Sequence, residues 1–111
     1  MNSYLYFPAL RDEVKIPEKG ILSRTLQNDE RTKVIVFGFA AGEELSAHTA
    51  PMPAILHFLE GEAEVRLGDD THAAKAGTVA YMPPQLTHGI RAKTPLAMLL
   101  IMVKNAPAAK D

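Results

Sequence analysis

Apolar residues along this chain come in short bursts separated by turn chemistry. The stretches "PEKG" (17–20), "QNDER" (27–31), "AAGEE" (40–44), "APMP" (50–53), "EGE" (60–62), "LGDD" (67–70), "KAG" (75–77), "MPPQ" (82–85) and "KTP" (93–95) are rich in turn-forming residues, chiefly Gly, Pro, Asn and Asp. The segments between them hold four to nine residues, too few for typical helices, and many are rich in Val, Ile, Leu, Phe and Thr. Short strands at this spacing predict a one-domain, all-β antiparallel sandwich or barrel. Strands are expected near residues 33–39, 54–59, 62–67 and 96–103, and the tail "NAPAAKD" reads as frayed.

The faces of these strands differ. In "EAEVRL" (62–67), Ala63, Val65 and Leu67 alternate with Glu62, Glu64 and Arg66, so that strand has one wet side. By contrast "KVIVFGF" (33–39), "AILHFL" (54–59) and "PLAMLLIMV" (95–103) are apolar on both faces. A small barrel has one interior, so some outer faces need a second cover. A homodimer is the simplest one, with the first twenty residues supplying part of the cover as the alternative.

Composition narrows the function classes. The chain of 111 residues is long enough for one stable core, and its 12 Lys and Arg nearly cancel its 13 Asp and Glu. The charges are scattered and form no basic stripe, which argues against a nucleic-acid partner. Cysteine is absent, so disulfides, thiolate chemistry and Cys-ligated metals are excluded. The N-terminus lacks the basic start and apolar length of a signal peptide, and "LAMLLIMV" (96–103) is far short of the ~20 residues that span a bilayer. A soluble, cytoplasmic protein is the expectation, with no membrane partner.

The candidate chemistry lies in two stretches, "GEELSAHTAPMPAILHFLEGE" (42–62) and "GTVAYMPPQLTHGIRA" (77–92). Together they resemble the two motifs of the cupin superfamily, small antiparallel jelly-roll barrels of the kind already expected. Gly42, His48 and Gly61 match the first motif, and Gly77, Pro83 and His88 match the second, over about residues 33–103. The "HTAP" and "LEGEAEV" wording is similar to a subgroup of small single-domain RmlC-like cupins of unassigned activity. In metal-binding cupins the ligands are two histidines and a glutamate of the first motif and the histidine of the second. Here Ala50 and Ala54 stand at the second-histidine and glutamate positions, Gln85 replaces the second motif's glycine, and Ala92 its asparagine. The resemblance therefore leaves His48 and His88 as candidate ligands for a divalent nickel, zinc, manganese or iron ion.

A mononuclear site for such ions wants at least three protein donors. His57 is the weaker third candidate. Strand side chains alternate, so if Ala54 points inward then Leu56 and Phe58 do too, and His57 faces out with Ile55 and Leu59 unless a bulge near Pro53 shifts the register. Gln85 is a softer donor close to His88. His72, just past the "GDD" turn, reads as a solvated strand-end residue whose position can lean inward. No carboxylate pair or nucleophile elbow stands out. Two functional readings follow. One is a binding module for a small metabolite, its cavity lined by His48, Leu56, Phe58, Met82, Gln85 and His88, with at most a weakly held metal. The alternative is a metal-dependent enzyme of dioxygenase or isomerase type using His48 and His88 as ligands.

Overall fold

The structure is a computed structural model, and it describes residues 3–104. The proposed frayed tail, 105–111, lies outside the described residues. Nine strands follow a short 3-10 turn at Leu10–Glu13. They are β1 (Ile21–Asn28), β2 (Thr32–Phe39), β3 (Glu44–His48), β4 (Ala54–Glu60), β5 (Glu62–Leu67), β6 (Asp70–Lys75), β7 (Val79–Met82), β8 (His88–Ala92) and β9 (Leu96–Val103). Every pairing is antiparallel. The strands form a five-stranded sheet in the order β1-β2-β9-β4-β7 and a four-stranded sheet in the order β3-β8-β5-β6. Apart from the β1-β2 and β5-β6 hairpins, neighbours in each sheet are distant in sequence, as the crossovers of a jelly roll require. The four strands expected from the sequence all form, and no helix among the described residues is long and apolar enough to cross a membrane.

The core between the sheets follows from side-chain alternation. Ala54, Leu56 and Phe58 of β4 face Ala63 and Val65 of β5, with Phe39, Ile90, Leu96 and Met98 closing the cluster. The doubly apolar strands also carry a second cluster on the outer face of the five-stranded sheet. There Val36, Ala97 and Leu99 pack against Val14, Leu10 and Ile16 of the N-terminal segment. The N-terminal segment thus covers part of that outer face through Leu10, Val14 and Ile16.

Two glycines make this packing feasible. At Gly38 a Cβ would lie 2.0 Å from the backbone oxygen of Lys15, so β2 must carry glycine for the N-terminal segment to cross it closely. Gly61 joins β4 to β5 with φ of 92°, and a Cβ there would meet the Pro95 oxygen at 2.1 Å.

The segment is also pinned electrostatically. Arg11 Nε donates to Glu60 at 2.8 Å, and its Nη1 donates to the Val14 carbonyl at 2.8 Å. The hydrogen bond from Arg11, then its charge, holds the Glu60 carboxyl below the usual carboxylate range. A lowered folded-state pKa stabilises above the unfolded value, and that contribution is lost as pH falls through the folded one. The Arg11 Nε proton resonance should therefore titrate with a midpoint below that of an ordinary glutamate, and Glu60→Gln should abolish the transition. A pH-independent Arg11 signal in the parent protein would mean that the pair does not form.

Candidate functional site

His48 ends β3 and His88 begins β8, and the two are direct cross-strand partners. On β8 the alternation is regular, with Ile90 and Ala92 buried, so His88 shares their inward face. On β3 it is not. Leu45 packs against the core, and unbroken alternation would turn position 47 inward and His48 outward. A register shift between Leu45 and His48 inserts the extra residue that brings His48 round beside His88. Gly89 lies under this irregularity, where a Cβ would sit 3.1 Å from both Ala47 N and Leu45 O.

The ring centroids of His48 and His88 are 4.4 Å apart, with planes tilted by 57°. Each ring is held in the same way. Nδ1 of His48 lies 2.8 Å from the Ser46 carbonyl, and Nδ1 of His88 lies 2.9 Å from the Leu86 carbonyl. A carbonyl can only accept, so each Nδ1 carries the proton in the neutral ring and each Nε2 keeps its lone pair. Among the described residues, neither Nε2 has a hydrogen-bond partner. Two oriented acceptors thus stand side by side.

They stand at a cavity of about 210 Å³. Its apolar wall includes Leu56 and Met82, as expected, with Met98, and also Phe37, Leu45 and Leu100, which were not singled out from sequence. His48 is exposed and His88 half-buried, so the polar pair lies on the solvent side of an apolar chamber. Larger hollows of about 500 and 420 Å³ lie on the outer surface, and neither is lined by a histidine.

The other expected site residues lie elsewhere. Phe58 does point inward, but it is fully buried in the core and does not line the cavity. His57 faces outward as parity required, half-buried between Val79 and Leu99. His72 pairs with the inward Val65, yet β6 is an edge strand and His72 is exposed. Gln85 is exposed on the turn before β8, does not line the cavity, and has φ of 68°. Its N–H donates to the Ala50 carbonyl at 2.7 Å, which ties that turn to the loop after His48.

The donor set falls short of a protein-held metal centre. Ala54 is buried and carries no donor, and among the described residues no three His, Cys, Asp or Glu side chains are grouped to hold an ion. Two imidazoles alone are one donor below the minimum for a stable mononuclear site. The four-ligand arrangement does not fit these residues.

An antiparallel jelly roll of two facing sheets, with a histidine pair at the mouth of an apolar chamber, defines this molecule's class, a small all-β barrel. The chain belongs to the cupin family, since residues 35–104 match the Cupin domain model. It is similar to a conserved protein of unknown function from Streptococcus pyogenes, at 30% identity and a TM-score of 0.82, over 97% of this chain and 93% of that one. A cupin superfamily protein from Desulfitobacterium hafniense DCB-2 shares 25% identity at a TM-score of 0.82, over 95% of both chains. An RmlC-like cupin from Desulfovibrio desulfuricans shares 28% identity at a TM-score of 0.73, over 93% and 96%. A search of curated proteins gave no match.

Gln85 stands where the second cupin motif has glycine, and its backbone keeps the left-handed conformation that glycine adopts freely. A non-glycine residue there costs of order 1–3 kcal/mol, offset in part by the ~0.5–1 kcal/mol of chain entropy that glycine loses on folding. Gln85→Gly should therefore raise stability in urea denaturation by about 0.5–2 kcal/mol, whereas Gln85→Val should lower it. A loss of stability in Gln85→Gly would show that the Gln side chain contributes a contact worth more than the strain.

Proposed function

We propose that this barrel binds a compact, mostly apolar small molecule in the chamber beneath His48 and His88. The observation that carries the reading is the pair of bare Nε2 acceptors, side by side on the rim of an apolar cavity. The ligand would bury a hydrocarbon or aromatic body against Leu56, Met82 and Met98 and present one or two O–H or N–H donors to the imidazoles. A volume of about 210 Å³ is below the ~300–1,000 Å³ of pockets for drug-sized ligands, so the ligand is small. Each hydrogen bond would contribute roughly 0.5–1.5 kcal/mol, enough to orient the ligand while apolar burial supplies the affinity.

The same two lone pairs favour a second reading, in which the imidazoles and solvent or the small molecule together hold a divalent ion weakly. Acid should then release the metal, because an imidazolium has no lone pair to give.

Methyl-detected NMR with a panel of compact phenols and alcohols tests the first reading. Shift changes should concentrate on Leu56, Leu100, Met82 and Met98, and His88→Phe should weaken binding roughly fivefold, the equivalent of one neutral hydrogen bond. Shifts scattered over the surface, or an unchanged affinity in His88→Phe, would contradict it. Titration with nickel, zinc and manganese tests the second. Weak binding in the parent chain that strengthens sharply in Ala50→His/Ala54→Glu would support it, and negligible binding in both chains would remove it.

A further inference from the structure

We propose that the rim of the chamber holds a single copper(I) ion, bound by Nε2 of His48, Nε2 of His88 and the thioether sulfur of Met82. The proposal rests on the paired imidazole acceptors of the chamber reading. It adds a donor that this reading treats only as apolar wall.

Four strand ends meet at this rim. β3 ends at His48 and β4 begins at Ala54, while β7 ends at Met82 and β8 begins at His88. The two short connections between them are tied by the Gln85 N–H, which donates to the Ala50 carbonyl at 2.7 Å. His48 pairs directly with His88 in one sheet, and Met82 pairs directly with Ala54 in the other. All three donor side chains line the same cavity of about 210 Å³. Met82 is buried yet borders this cavity, so its side chain meets the chamber rather than bulk solvent.

The donor set selects the ion. Imidazole suits copper, and a soft thioether favours copper(I) over hard divalent ions. Among the described residues, no carboxylate lines the chamber, so nothing there offsets a second positive charge. The cost of taking an ion out of water rises with the square of its charge. A monovalent ion therefore costs roughly a quarter as much to enter an apolar chamber as a divalent ion of the same size. Copper(I) has a filled d shell and accepts low coordination, so two imidazoles and one thioether complete its shell without water.

The imidazoles are already oriented for this task. Metal-bound histidines donate their remaining ring N–H to a carbonyl or carboxylate, which fixes the tautomer and raises the basicity of the ligating nitrogen. Nδ1 of His48 on the Ser46 carbonyl and Nδ1 of His88 on the Leu86 carbonyl supply that support. As a plain gap-filler, Met82 would be replaced by leucine with little consequence. As a ligand it would not, and the two roles separate in metal affinity rather than in stability.

Silver(I), a redox-inert soft ion of the same charge, gives a spectroscopic test. Titrated into the full chain with 13C-labelled methionine methyls, it should move the Met82 methyl and the ring signals of His48 and His88, saturating at about one equivalent. Anaerobic competition against a chromophoric copper(I) chelator then measures affinity. Met82→Leu should weaken copper(I) binding by at least about tenfold, while its urea midpoint stays near that of the parent. Equimolar zinc or manganese should not displace the silver. An unchanged copper(I) affinity in Met82→Leu, a silver-loaded protein whose Met82 methyl has not moved, or displacement of silver by zinc would each overturn the proposal. Titration of compact phenols uses metal-free protein, so failure of the chamber reading is read apart from failure of this one.

Discussion

The site depends on one irregularity, the register shift in β3 between Leu45 and His48. Strand side chains alternate with a period of two, so a strand that buries Leu45 in the core cannot also turn His48 inward without an extra residue. The shift supplies that residue, and Gly89 on β8 leaves room for the displaced backbone. His48 then meets His88 across the strand pair at a ring separation of 4.4 Å. Without the shift His48 would point to solvent, and the chamber would keep one polar group instead of two.

The backbone also decides what the pair can do. Both rings donate from Nδ1 to the carbonyl two residues earlier, so they present matched Nε2 acceptors without any carboxylate to orient them. Such an arrangement recognises a donor or shares a cation with other ligands. It does not assemble a complete metal centre, because the family's other two ligand positions are Ala50 and Ala54 and the latter is buried in the core. Loss of those two donors leaves the scaffold intact while removing half of the coordination sphere.

Much of this was legible in the sequence, for physical reasons that differ by residue. The turn spacing gave the all-β architecture, and the cupin-like spacing of Gly42, His48, Gly61, Gly77, Pro83 and His88 linked the two stretches that β3 and β8 bring together. Parity correctly turned Leu56 and Phe58 inward and His57 outward, because β4 alternates without interruption from Ala54 to Phe58. Parity cannot say how deep an inward residue lies, and Phe58 fills the core while Leu56 borders the chamber. Phe37 and Leu100 escaped notice because β2 and β9 are apolar on both faces, so no polar alternation marks which side is interior. Gln85 was read as a donor near His88, but its backbone adopts the conformation of the glycine it replaces, and that geometry holds its side chain in the exposed turn.

The most direct measurement is the tautomeric state of His48 and His88 by long-range proton–nitrogen NMR on the neutral protein. Protonated Nδ1 and bare Nε2 on both rings is the expected result, with the two assignments unchanged by mutation of His57. An Nε2–H tautomer on either ring, or free exchange between the two forms, would contradict it, since the paired acceptors on which the binding chamber rests would then not exist.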